Sequence, residues 1–398
     1  MYDNLNEKER DFECKTIDTI EKLKEFIESQ NNYQPQFKSL SIGVSTDDFF
    51  KRKHYIIYRG IKESKFCLNT SLQFRWNEIT HFHPDCTQAQ YLSTMVSRLV
   101  NNPHIKEYIT KDGKSYTCIS ILALMQHYGL PTPLLDWTPN IETGLNFAYD
   151  GIDLTPQEED ISNYVSLYYI DLFKNYELQS SSYQGVLADC CNRLCKYDLS
   201  HADNLNNAKL ENIFTLDDLD LDFFYIDYSE DEPLVEDIFG NVLSLINPNL
   251  EIQDGAFIVN FRPDNNLDYY WNKKMSDHDT EILSEKHTIK EGVEIYTTVS
   301  ENQNAKGIIP KTKINCANIK KSVLASWIDN GGKRAHYDES QESQILKENV
   351  LKTYYRWLLD GDKDFEFFRN TFVNNAKIEE RQVAEQVLKE YEQTEWEQ

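Results

Sequence analysis

The chain is 398 residues long, 40% hydrophobic and 13% aromatic, which leaves room for two or three ordinary domains or one enlarged one and excludes wholesale disorder. A formal net charge of −25 opposes long-range attraction to DNA or RNA, whose phosphates would be repelled. With only 14 glycines and no GxGxxG or GxxxxGKS/T pattern, a glycine-rich phosphate loop is not expected.

The opening residues, MYDNLNEKERDFE, carry no apolar signal core, and no apolar run approaches the roughly 18 residues that a membrane-spanning helix needs. These features predict a cytoplasmic chain with reduced thiols. FECKTI (12–17) reads as a short strand. IDTIEKLKEFIESQ (17–30) reads as an amphipathic helix with Ile17, Ile20, Leu23 and Ile27 near one face and Asp18 as its cap. KRK at 51–53 is a solvated basic loop. HYIIYRGI (54–61) is a buried strand, and Gly60 near its end permits a turn or a close approach by a ligand. His81 and His83 would share a face if extended, without a third metal ligand in view.

Residues 87–110 predict one helix, marked by Tyr91, Met95, Leu99 and Ile105. A second, at about 117–129, is apolar almost all round and therefore central. Gly129 caps it, and Pro131 and Pro133 forbid continuation. NIETGLNFAY (140–149) predicts a short helix and YVSLYYIDLF (164–173) a strand. CCNRLC (190–195) lacks a CxxC or HxxxH partner and reads as helical thiols rather than a metal site. The acidic, aromatic stretch 216–237 predicts an ordered insertion; it lacks the turn glycine of a calcium loop. A turn and strand follow over 247–263, a strand over 307–316 and a helix over 317–332. Beyond them lie helices whose last member, 375–396, is polar on most faces and suited to projecting, fraying or pairing with a partner or second copy.

Strands and helices interleave without a strict βαβ rhythm. The expected class is α+β: a mixed β-sheet core with surrounding helices, plus C-terminal helices. The expected division is a lead-in over 1–46, a core over 47–335 with an acidic insertion at about 200–245, and a helical extension over 336–398.

The stretch QHYGLPTPLLDWT (126–138) carries the candidate chemistry. A helix end and a proline-stiffened turn would deliver His127, Asp136 and Thr138 to the YRG strand, with Leu134, Leu135 and Trp137 as anchors. Arg59, held by a strand, could clamp a phosphate, a carboxylate or a carbonyl; the plainer alternative is an ion pair with Asp136. His127 is a base, an acid or a donor, or else a satisfied core histidine.

YRG at 58–60, then LNTSLQFR, the 126–138 stretch, QDGAF at 253–257 and the helix IKKSVLASWIDNGG together resemble the FRG domain family over roughly residues 17–335. Many members carry Arg where this chain has Pro133, so any anion-binding role of that Arg is absent here. The resemblance implies a bacterial or phage-related cytoplasmic protein. The order of features also resembles, more distantly, the ADP-ribosyltransferase fold. On that likeness Arg59, Thr138 and Gln253 would be catalytic; His127, from its place in the 126–138 stretch, would join them, and Tyr58, Arg59, Gly60, Arg75 and Asp136 would hold a nucleotide or NAD-type ligand. NAD would be a substrate, with no resident cofactor or metal. A neutral Gln253 where such enzymes place a Glu would forgo electrostatic stabilisation of an oxocarbenium-like transition state, unless Asp254 or Glu251 substitutes. Two readings follow: a nucleotide- or NAD-directed enzyme acting as a toxin or anti-phage effector, and a non-catalytic sensor or scaffold in which the motif is structural.

Overall fold

A computed structural model of the chain describes residues 1–33, 56–110, 117–171, 199, 210, 223–227, 256–260, 284–290, 293–299, 314–332 and 340–396. Among these, the central sheet has four strands: β1 (Glu13–Ile17), β2 (Ile56–Ile61), β4 (Tyr164–Asp171) and β9 (Asn315–Lys320), in the order β1-β9-β4-β2. The β1–β9 pair is parallel and the other two are antiparallel, so the sheet is mixed. A second sheet is antiparallel, with β3 (Leu134–Trp137), β6 (Ala256–Asn260) and β5 (Phe223–Asp227) in the order β3-β6-β5. The two sheets meet at one bridge, where Tyr58 and Thr138 exchange backbone bonds of 2.7 and 2.9 Å. β7 (Ser284–Lys290) and β8 (Val293–Val299) pair antiparallel as a separate two-stranded sheet.

The side-chain period of two sorts β4 between two cores. Val165, Leu167 and Tyr169 face one cluster with the helices α2 (Ile20–Asn31), α7 (Ile141–Tyr149) and α8 (Lys321–Asp329). Tyr168 and Ile170 face another with Phe12, Ile57, Trp137 and Ile258. The third and largest core is helical. It joins α3 (Ser71–Phe82), α4 (Gln88–Asn101), α5 (Pro103–Thr110) and α6 (Cys118–His127) to α9 (Gln341–Gly361), the short turns over 365–373 and α11 (Ile378–Trp396). Cys118 to Met125 are buried throughout, as the all-round apolar pattern of α6 required, and the surrounding hydrocarbon pushes the Cys118 thiol up to about 12.

Several expectations are corrected. The single helix over 87–110 is two, because Pro103 cannot continue α4 and instead opens α5. Thr19, not Asp18, caps α2 by accepting from Lys22 N; Asp18 pairs with the Lys22 ammonium instead. PTPLLDWT is not all turn, since Leu134–Trp137 is a strand. ANIK at 317–320, read as the start of a helix, is the body of β9, and α8 begins at Lys321. His81 and His83 are not extended. His81 lies in the last turn of α3 and His83 is its C-cap; they stack on Phe367 and Trp357, with His81 Nε2 3.1 Å from Asp364 Oδ2 and His83 Nε2 2.8 Å from Trp357 O. Finally, α11 neither frays nor projects. Val383, Ala384, Val387 and Leu388 bury one face, and Arg356–Glu390 and Arg369–Glu392 tie its polar flank to the preceding helices. The C-terminal helices therefore complete the helical core that α3–α6 begin.

CCNRLC, KRK and nearly all of the acidic 216–237 stretch lie outside the described residues.

Candidate functional site

α6 runs into Gly129, whose φ of 81° is the left-handed conformation that a helix C-terminus favours in glycine. Leu130 N then reaches back to Met125 O at 2.9 Å. The proline turn is held by its carbonyls: Pro131 O accepts from Tyr91 Oη at 2.9 Å, Thr132 O from Leu72 N at 3.1 Å, and Pro133 O from Asn260 N at 2.8 Å. Leu134, Leu135 and Trp137 are sealed, as expected of anchors. Past Trp137, Thr138 bridges to Tyr58, and its hydroxyl accepts from Asn140 N at 3.1 Å. Asn140 caps α7, its Oδ1 accepting from Glu142 N at 2.9 Å. DWTPN thus encodes a strand end, a bridge and a helix start in five residues.

This path brings Arg59, Asp136 and Gln126 together. Arg59 Nη1 donates to the backbone oxygen of Asp136 at 2.6 Å, while the Asp136 carboxylate Oδ2 lies 3.6 Å from the same nitrogen, too far for a hydrogen bond. That carboxylate instead accepts from Gln126 Nε2 at 2.8 Å. Gln126 Oε1 in turn accepts from Thr132 Oγ1, and from Ser71 Oγ at 3.2 Å. Ser71 Oγ accepts from Thr132 N at 2.9 Å. The Arg59 side chain is 16% exposed and that of Asp136 37%, so the corner is reached by solvent from the Asp136 side. Arg59 Nε is buried and has no acceptor among the described residues. Burial pulls the Arg59 guanidinium below its ordinary pKa and Asp136 offsets part of that, but an arginine starts so high that it remains a cation.

The other predicted residues sit differently. Gly60 does face a close neighbour, but it is α7. A Cβ there would lie 2.1 Å from Gly144 O and 2.5 Å from Ala148 N, so the close approach is taken by a helix and not by a ligand. Gly144 is the reciprocal contact, against Tyr58 Cβ. Tyr58 is buried, with its hydroxyl 3.4 Å from Gln30 Oε1. Arg75 lies beside the C-terminal helices: its Nε bonds Glu78 at 2.9 Å, its Nη1 donates to Gly129 O at 3.3 Å, and its guanidinium stands 5.2 Å from the ring centres of both Tyr354 and Phe372. His127 is half-buried, edge-on to Tyr128. Gln253, with Glu251 and Asp254, lies outside the described residues. Gln126, which opens the 126–138 stretch, and Ser71, in the LNTSLQFR motif, are members of the corner to which the residue pattern assigned no role. The available signal was a lone amide in the last turn of an apolar helix, three residues before the glycine that follows it. Among the described residues no three His, Cys, Asp or Glu side chains gather to hold a metal ion, and no helix is long and apolar enough to cross a membrane.

Comparison with curated proteins finds no match, and comparison with solved structures finds none either. A family model, the FRG domain, matches residues 54–155. The matched span contains YRG, Ser71, the Gln126–Asp136 corner and the Gly144 contact, and stops short of QDGAF. The chain therefore carries an FRG domain, running from the start of the YRG strand to just beyond the helix on which that strand packs.

Proposed function

We propose that the Arg59 corner is a binding site for an anionic group, of the phosphate or carboxylate kind carried by nucleotides and NAD-type ligands. The observation that supports it is how the guanidinium is used. Its carboxylate neighbour is hydrogen-bonded to Gln126 and forms only a longer ion pair with it at 3.6 Å, its hydrogen bond to the protein runs from Nη1 to a backbone carbonyl, and Nε is left without an acceptor among the described residues. A guanidinium presents Nε–H beside a terminal nitrogen as a parallel fork, the geometry that grips a phosphate or carboxylate through two bonds. Gln126 and the prolines hold the corner in place before a ligand arrives, which lowers the ordering cost of binding.

An NAD-directed transferase acting as a toxin or anti-phage effector is the finer form of this reading. It rests on the order of motifs, and it needs a group near the corner to stabilise positive charge on a ribose; Asp136 is the described carboxylate best placed for that. The second reading, a structural motif in a sensor or scaffold, is favoured by the Tyr58–Thr138 bridge and the Gly60–Gly144 contact, which give two of the three YRG residues packing roles.

The test is a thermal-shift titration with NAD, ADP-ribose, nucleoside triphosphates and inorganic phosphate on the wild type and on Arg59→Lys. Binding raises the melting midpoint in proportion to ligand excess over Kd. A shift in the wild type that is lost in Arg59→Lys, with unliganded stability kept, supports the site. An unmoved midpoint across the panel, with a lower midpoint for Arg59→Lys, establishes the structural reading instead. Release of nicotinamide from NAD separates the enzyme from a simple binder.

A further inference from the structure

Away from the Arg59 corner, the central sheet buries a polar cluster that the proposed site does not use. Lys8, on the first helix, α1 (Leu5–Asp11), is fully buried. Its ammonium donates to Ser64 O at 2.8 Å and to Ser166 Oγ, and stands 4.6 Å from the ring centre of Tyr168. Ser166 Oγ and Cys316 Sγ lie 3.1 and 3.4 Å from Asn318 Oδ1. A buried cation needs an anion or a full set of acceptors. Two thiols share this cluster with Lys8: Cys316 is fully buried, and Cys14, half-buried, is hydrogen-bonded to it. Burial would raise the Cys316 thiol, but the hydrogen bond from Cys14 and the Lys8 charge bring it down to about 7.

Cys14 and Cys316 are also directly opposite each other in the parallel β1–β9 ladder. Paired strands run about 4.8 Å apart, inside the Cα separation of roughly 4.4–6.8 Å that a disulfide spans, and register partners project to the same face. We propose that Cys14 and Cys316 are an oxidisable pair, a modification site at which a peroxide closes a disulfide across the β1–β9 ladder. Cys14 is the sulfur that solvent reaches. It gives up its proton and attacks one peroxide oxygen; the O–O bond breaks and the departing oxygen takes that proton, giving a sulfenic acid and water. The Cys316 sulfur then attacks the Cys14 sulfur and the S–S bond forms; the S–O bond breaks, and the departing hydroxide takes the Cys316 proton to become a second water. Two thiols are oxidised and one peroxide is reduced. The product ties β1, an outer strand of the central sheet, to a strand three hundred residues away in the chain.

The test treats the full chain with hydrogen peroxide, unfolds it in excess N-ethylmaleimide and maps the peptides by mass. Expected is one cross-linked peptide pair containing residues 14 and 316, the loss of two maleimide-reactive thiols, and reversal by dithiothreitol. Recovery of both cysteines as maleimide adducts overturns the proposal, as does joining of either to another cysteine or to Lys8. The mapping uses the wild type and so does not depend on a variant folding. In Cys14→Ser, Cys316 should stay maleimide-reactive after the same treatment; a Cys316 that is oxidised as before also overturns it.

Discussion

Replacing Gly60 by alanine separates a glycine that admits a ligand from one that admits a helix. The added Cβ would sit 2.1 Å from Gly144 O, 2.5 Å from Ala148 N and 2.9 Å from Ala148 Cβ, whereas ordinary contact begins at 3.4 Å. The overlap exceeds an ångström, and two of the three atoms are backbone, so no side chain can rotate away. Strand β2 or helix α7 has to move, and β2 is bound on one side to β4 and on the other to Thr138. Overpacking a core typically costs about 1–3 kcal/mol, and a backbone-on-backbone clash falls at the top of that range, about 3 kcal/mol. At roughly 2 °C or more per kcal/mol for a chain of this size, the melting midpoint should fall by at least about 5 °C. Gly129→Ala is the control. It meets nothing within 4 Å and carries only the strain of its φ of 81°, a cost of about 1 kcal/mol. Urea and thermal unfolding of the two variants side by side read the difference. A Gly60→Ala protein as stable as Gly129→Ala would refute the packing argument and return Gly60 to the list of ligand-contacting residues.

Three further outcomes are expected. Arg75→Met keeps the length of the side chain but loses the charge over Tyr354 and Phe372 and the bond to Gly129 O, and should cost about 1–2 kcal/mol, read as a lower urea midpoint and faster proteolysis of the C-terminal helices. Burial holds the His83 imidazole below its ordinary pKa where it stacks on Trp357, so the unfolded chain takes up a proton there before the folded one does. Its contribution is therefore intact above the unfolded value of about 6.5 and declines as pH falls through it, and His83→Gln should lose less melting temperature than the wild type between pH 7 and 5. Ending the chain at residue 339 strips Leu346, Val350, Tyr354 and Leu358 from the helical core, and should give a protein that aggregates or binds a hydrophobic dye instead of a folded shorter domain.

The elements themselves were largely legible. A β-branched, aromatic run with a glycine near its end made a strand of Ile56–Ile61, and an unbroken apolar helix followed by a glycine placed Cys118–His127 at the centre of a core. The motif order pointed to the FRG domain, and the family match over 54–155 agrees. The 87–110 helix was misread although Pro103 marks its break locally; two other elements were misread because a local preference was outweighed. Leu134–Trp137 extends because Ala256–Asn260 supplies its ladder partners, and the last helix lies down because the preceding ones offer an apolar groove and arginines for its glutamates.

The pattern of residues along the chain determined where helices and strands form, which prolines and glycines stop them, and that Arg59 and the 126–138 turn belong to one motif. Which atom meets which was decided only by the folded chain. The Asp136 carboxylate hydrogen-bonds Gln126 and keeps only a longer ion pair with Arg59, Gly60 packs on Gly144, and Lys8 lies buried beside a cysteine hundreds of positions away. Hydrogen bonds and steric contacts act over a few ångströms in space, and spacing along the chain carries no record of which distant segments will be brought that close.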